Sequence, residues 1–262
     1  MLKMGQKNIL AVDSSTKACS VALNVAGRVY TRHEILPQKH AHRILPMVDE
    51  ILQEAKLSVQ QIDALSFGEG PGAFTGIRIA AGVIQGLALG WDKPVIALSS
   101  LSAISEEWGA EFIANSVSNE LNVTQEERAK LHCCSMLDAR MGELYLQCAV
   151  LDVETASFTF NETELLSPED ASHYLNAYKE AHNISAFYGA GDIADEYPQL
   201  TQLFTQWSSI LPNAISLTKL AQVNFAKAKK LNEEIPTPVY LRNKIAETIE
   251  ERRIKQTKKY NL

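Results

Sequence analysis

The stretch ILAVDSSTKACSVAL, residues 9–23, decides the fold. It opens within a short apolar run, Asn8–Asp13, that reads as a buried strand closed by an aspartate. A polar turn follows at Ser14, Ser15 and Thr16. The runs ACSVALNVAG and RVYTRHEI then pair about Ala26-Gly27 as a hairpin. The same order returns in LHCCSMLDARMGELYLQCAVLD, residues 131–152, where an apolar strand ends in Asp138, ARMGE turns, and an alternating run leads back. The letters differ, but the order of elements repeats.

Each hairpin unit is followed by alternating helices and strands. In HAHRILPMVDEILQEA, Ile44, Leu45, Val48, Ile51, Leu52 and Ala55 fall at helical spacing, with Pro46 expected in the first turn or at a kink. ALSF and PVIALSS read as strands, and Leu101–Trp108 begins a helix. SPEDASHYLNAY starts a helix with Ser167 as N-cap, Pro168 in the first position and acids in the first turn. AFYGAGD is a strand running into a glycine turn, and SLTKLAQVNFAKAKK is a helix ending in lysines. The expected fold is α/β with two lobes, each a mixed sheet flanked by helices. The division expected is 1–104 for the first lobe, a polar connection at 105–130, and 131–262 for the second lobe with a basic tail.

Composition narrows the function classes. With 46% hydrophobic and 21% charged residues, the 262-residue chain can bury a sizeable core. A net charge of −6 supplies no bulk attraction to nucleic acid, so any such contact must be local. The N-terminus lacks the apolar core of a signal peptide, and Ile77–Trp91 contains Arg78 and is too short to span a bilayer. A cytoplasmic protein without a membrane partner is expected. Cys19, Cys133, Cys134 and Cys148 form no CxxC pair and read as small buried hydrophobes.

The segment LSFGEGPGAFTGIRIAAGVIQGLALG, residues 65–90, looks at first like a phosphate loop. It lacks the Lys of a Walker motif, because Gly76 is followed by Ile77 and Arg78, and the third glycine of a dinucleotide fingerprint is replaced by Ala73. Beyond the loop, Gly82, Gly86 and Gly90 recur every fourth residue. Glycine in a helix costs about 1 kcal/mol against alanine, so a stripe of three asks for a reason. The plain one is close packing within the chain; the sharper one is contact with another subunit. The residues around the stripe are apolar nearly all round, which predicts a helix buried on several sides.

The remaining motifs are mostly negative. The histidines, His33, His40, His42, His132, His173 and His182, contain no HxxxH or HExxH pair, and there is no GxSxG elbow. Asp13, Ser14 and Ser15 stand where actin-like ATPases hold Mg²⁺ and phosphate, but Ser14 replaces the glycine of catalytic members; a locally bonded turn accounts for them equally well. Asp138, Arg140 and Glu143 read as a satisfied turn. Arg252, Arg253, Lys255, Lys258 and Lys259 make a basic tail, solvated by default.

Five collinear segments carry a family resemblance: residues 9–23, HAHRILPMVDEIL, FGEGPGAFTGIRIAAGVIQGLALG, LDARMGELY and PVYLRNKIA. Together they resemble the TsaB (YeaZ) family. The resemblance implies an actin-like (ASKHA, RNase H-like) two-lobed fold. It implies a non-catalytic activating subunit in the formation of N6-threonylcarbamoyladenosine at position 37 of tRNAs reading ANN codons. Its expected partners are TsaD, which carries the metal site and transfers the threonylcarbamoyl group, and the ATPase TsaE. A homodimer is expected when the chain is alone, and tRNA is met only through the complex. ATP, ADP and metal are expected on the partner subunits, with none bound by this chain alone. Asp13, Ser14 and Ser15 remain as a degenerate phosphate loop. The two first-lobe helices are expected to meet the partner, through His40, Arg43, Met47, Arg78, Gly82, Gln85 and Gly86. The rivals are a free-standing actin-like ATPase or phosphotransferase, and an M22-type metallopeptidase.

Overall fold

The computed structural model describes residues 6–116 and 130–242. Strands β1 (Ile9–Asp13), β2 (Ala18–Val25) and β3 (Arg28–Ile35) form an antiparallel meander. Its second turn is tight: Ala26 and Gly27 both take positive φ, at 49° and 90°, as a two-residue hairpin requires. Helix α1 (His40–Ala55) then leads to β4 (Ala64–Gly70), helix α2 (Phe74–Trp91) and β5 (Val95–Ser99). β4 pairs parallel with both β1 and β5, giving the order β3-β2-β1-β4-β5.

Helix α3 (Ser100–Ser116) precedes a second sheet with the same plan. β6 (Lys130–Arg140) and β7 (Glu143–Asp152) form the repeated hairpin, extended by β8 (Ser157–Phe160) and by β9 (Glu164–Leu166), which also pairs with β7. After α4 (Pro168–Ala181), β10 (Phe187–Gly191) adds parallel to β6; after α5 (Pro198–Thr201), β11 (Gln206–Ser209) adds parallel to β10. The order β11-β10-β6-β7-β8 is the first sheet's order repeated. This is the two-lobed arrangement of mixed sheets expected above.

The covering helices show how the halves are joined. α1 and α2 share one face of the first sheet, packing Ile44, Met47, Val48, Ile51, Ala80, Ala81 and Ile84 onto Leu10, Val12, Leu65 and Phe67. The opposite face is covered by α6 (Ala214–Val223), whose Ala214, Leu217 and Leu220 meet Ala11 and Ala22. Because β1 is covered on both faces, its residues read as a continuous apolar run. α3 lies on the second sheet, with Leu101, Ile104 and Trp108 against β6, β7 and β10, while α4 and α5 cover its other face. Each sheet therefore borrows a helix that follows the other in sequence. α6 and the chain beyond it, which the sequence division assigns to the second half, pack on the first sheet. The helix expected from residue 216 through the lysines ends at Val223, with a short 3-10 turn at Phe225–Lys227. The connection expected at 105–130 is helical as far as Ser116; residues 117–129 lie outside the described residues.

Two other expectations change. Pro46 lies inside α1, in its second turn rather than its first. α2, at 18 residues and a mean hydropathy of 1.2, is by length and composition apolar enough to cross a bilayer. In the fold one side of it, Ile77, Ala80, Ala81, Ile84 and Ala88, is buried.

Candidate functional site

The glycine loop and the Asp13 turn are packed against each other. Asp13 is fully buried at the end of β1. Its Oδ1 accepts from the backbone N–H of Ser15 at 2.9 Å and from Ser15 Oγ at 2.8 Å. Its Oδ2 accepts from Ser100 Oγ at 3.4 Å. Burial raises the carboxyl to a pKa of about 6, against the lowering effect of the Ser15 and Ser100 bonds. Ser14 Oγ donates to Gly76 O at 2.9 Å, and Ala73 N–H donates to Ser15 O at 2.6 Å.

These contacts explain the first set of glycines. A Cβ on Gly68 would lie 1.9 Å from Asp13 Oδ2; on Gly72, 2.4 Å from Ser15 O; on Gly76, 1.9 Å from Ser14 O. The loop backbone is packed directly against the turn, leaving no room for a Cβ between them. The residues present do not fit a nucleotide phosphate there. Asp138 makes a comparable turn in the second sheet: it accepts from Arg140 N–H at 2.7 Å and pairs with the Arg140 guanidinium at 2.9 Å. Asp192 accepts from Asp138 N–H at 2.9 Å, and burial raises its carboxyl. Among the described residues no group of three or more His, Cys, Asp or Glu stands close enough to hold a metal ion.

The second set of glycines does the opposite. A Cβ on Gly82, Gly86 or Gly90 would meet nothing within 4 Å. Among the described residues the stripe therefore faces outward with nothing packed on it, and α2 is not buried on several sides. Leu89 stands 78% exposed beside it, with Phe74 at 43% near the start of the helix and Leu45 at 49% on neighbouring α1.

The residues predicted for the interface divide accordingly. Gly82 and Gly86 lie on the open face. His40 and Met47 do not: both are buried, and Met47 packs in the core with its sulfur 3.8 Å from Cys19 Sγ. Helical spacing puts Met47 on the face of Ile44 and Ile51, three and four residues away, and not on that of Leu45. Arg43 is held within the chain, donating to Glu34 at 2.6 Å and to Glu50 at 2.5 Å. Arg32 joins the same ladder through Glu50 at 3.0 Å and Glu54 at 2.8 Å. The Arg43 bonds hold the Glu34 and Glu50 carboxyls below the usual range. Arg78 is exposed, with its guanidinium 3.6 Å from the Phe74 ring centroid and Nε donating to Tyr240 Oη at 2.8 Å. Gln85, half-buried, donates to Pro236 O at 2.7 Å. Leu89, Leu45 and Tyr240 are exposed as well, and residue type alone does not distinguish them from core residues. The basic tail from Arg252 to Lys259 lies outside the described residues.

Comparison with known proteins supplies the context. The family model described as TsaD, tRNA N6-adenosine threonylcarbamoyltransferase, matches residues 31–250. The tRNA threonylcarbamoyladenosine biosynthesis protein TsaB of Haemophilus influenzae is 37% identical over 246 residues, 92% of this chain and 96% of its own. The protein of the same name from Escherichia coli is 34% identical over 239 residues, 91% of this chain and 96% of its own. The solved structure of YeaZ from Pseudomonas aeruginosa superposes with a TM-score of 0.71 at 32% identity, over 90% of this chain and 100% of that one.

Proposed function

This chain belongs to the TsaB family, two members of which match it along more than nine-tenths of both lengths, and from that premise we propose that it acts in threonylcarbamoyladenosine biosynthesis as an activating subunit rather than as the catalyst. The match to the TsaD model fits a chain related to that transferase. In this reading a TsaD-like subunit transfers the threonylcarbamoyl group to A37 of ANN-decoding tRNA, and a TsaE-like ATPase joins the pair. Metal and nucleotide belong to those partners, tRNA is met through the assembly, and the complex works in the cytoplasm. Alone, the chain pairs with itself through the same face.

The observation that carries the proposal is the open glycine stripe of α2. Three glycines at about 1 kcal/mol each are a standing loss of helix stability that no contact among the described residues repays. A partner helix seated on the stripe can approach backbone to backbone, as small-residue faces allow. Leu89, Phe74 and Leu45 around it supply apolar area. The buried Asp13 turn, with the glycine loop packed against it, supports the non-catalytic part of the proposal.

The test is Gly82→Leu. Its side chain projects into open space and leucine is the better helix former, so the lone chain should keep or slightly raise its melting temperature. Binding to the TsaD-like subunit, measured by calorimetry, should weaken at least tenfold, or roughly 1.4 kcal/mol. Unchanged binding by a folded variant would remove the face from the interface.

A further inference from the structure

The segment PVYLR, singled out in the sequence but given no role so far, ends a strap that spans the molecule. Past α6 the chain pairs Lys229 with Val95 at the edge of the first sheet, through bonds of 2.8 and 3.1 Å. It then runs beside α2. Pro236 O accepts from Gln85, and Val239 N–H donates to Glu69 O at 2.9 Å. Tyr240 Oη accepts from Arg78 Nε, and its ring lies 5.7 Å from Phe74 and 5.4 Å from the Arg78 guanidinium. Two residues on, Arg242 crosses to the β6–β7 turn, donating to Ala139 O at 3.2 Å, to Arg140 O at 3.1 Å and to the Glu143 carboxylate. Pro236 and Pro238 fix φ along the strap, so little entropy is lost in holding it extended.

Tyr240 is 44% exposed, Ile235 65% and Val239 37%. These apolar groups continue the open face of α2 along one side. Arg78 is sandwiched at the N-terminal end of that face, with its Nε occupied by Tyr240, while its remaining guanidinium N–H groups have no partner among the described residues. A stacked, pre-aimed arginine beside exposed tyrosine and phenylalanine has the composition of an interface anchor.

We infer that the strap is a second element of the docking surface, and that Tyr240 and Phe74 hold Arg78 in place to receive a carboxylate of the partner subunit. The inference rests on the docking role of α2 proposed above. The occupant is the same TsaD-like subunit, since strap and glycine stripe form one continuous surface. Tyr240 is a positioning residue here, and Arg78 makes the contact. Planarity matters: a lysine at position 78 would keep the charge but lose the stack and the fork of donors.

The experiment measures the affinity of the full chain for that subunit across a series of salt concentrations, with Gly82→Leu as the control for docking itself. Arg78→Ala should bind about tenfold more weakly at low salt and lose most of the parent's salt dependence. Tyr240→Ala should weaken binding severalfold. Tyr240→Phe, which keeps the ring but not the acceptor for Arg78 Nε, should fall between it and the parent. Both positions are exposed, and Tyr240→Phe keeps the test valid should Tyr240→Ala fail to fold. If Gly82→Leu abolishes binding while Arg78→Ala and both Tyr240 variants bind like the parent, the strap is no part of the surface and the inference fails alone. If Gly82→Leu also binds like the parent, the docking reading fails and takes the inference with it.

Discussion

Asp13 and the glycines show how much one atom decides at the scale of the residue. Adding a methyl at Gly76 drives it to 1.9 Å from a backbone carbonyl, whereas the same methyl at Gly86 enters open space. Gly76→Ala should therefore destabilise the fold by about 1–3 kcal/mol, as overpacking does. Gly86→Ala should stabilise it by up to ~1 kcal/mol through helix propensity. Chemical denaturation of the two variants, side by side, checks the opposite signs. Asp13 carries a pH signature. Its folded pKa, about 6, lies above the ordinary 3.8, so the folded state binds the proton more tightly than the unfolded chain does. The group's contribution is complete below pH 4 and is lost as pH rises through 6, by about 3 kcal/mol for a shift of this size. Asp13→Asn should remove that loss and be at least as stable as the parent at pH 7, because its amide oxygen can keep the Ser15 bonds while its NH₂ donates to Ser100 Oγ. On the activating-subunit reading this variant also retains its effect on modification; an ATPase depending on Asp13 would lose it. The sequence showed the Asp–Ser–Ser turn and the missing glycine, but not that residues 72–76 close over it. That closure joins positions some 60 apart, and no local spacing encodes it.

Helix α2 is the element on which the sequence reading and the fold part company. Its apolar residues run nearly all round, which predicts burial on several sides; one side is core, and the other carries Gly82, Gly86, Leu89 and Gly90 in the open. Periodicity reports which residues avoid water, not whether the chain or a partner excludes it. α1 shows the same ambiguity: Ile44, Val48 and Ile51 are core as their spacing predicts, while Leu45, counted with them, is half exposed. His40 and Met47 are buried instead, at the same three- and four-residue spacing from Ile44 and Ile51. The start of α4 was fully legible, since its cap is a local device: Ser167 Oγ accepts from Asp170 N–H at 3.1 Å and Pro168 opens the helix. At this scale the prediction concerns Leu89. Leu89→Lys should leave the melting temperature within about a degree, as an exposed substitution away from special features usually does. It should weaken association with the TsaD-like subunit severalfold, read by the same calorimetry.

The whole molecule is a duplicated plan with exchanged covers. The repeated Asp-ended hairpin was visible in the letters, and the two sheets built on it share one strand order. The exchange was not visible: α3 covers the second sheet and α6 the first, tied by Ala214 N–H donating to Ser20 Oγ at 2.9 Å and Ser216 Oγ donating to Glu107 at 2.7 Å. The strap that carries Tyr240 to α2 and Arg242 to the β6–β7 turn was hidden for the same reason, because contacts 100 to 160 residues apart leave no period to read. Together these ties join the open face of α2 to both sheets. The most direct test of the central claim is a reconstituted modification assay. The mixture contains this chain, TsaD- and TsaE-like proteins, an enzyme that makes threonylcarbamoyl-AMP, ATP, threonine, bicarbonate and an ANN-decoding tRNA, and each protein is omitted in turn. The account predicts that modified A37 requires this chain, and that the chain alone neither modifies tRNA nor hydrolyses ATP. Undiminished modification in its absence would contradict the account.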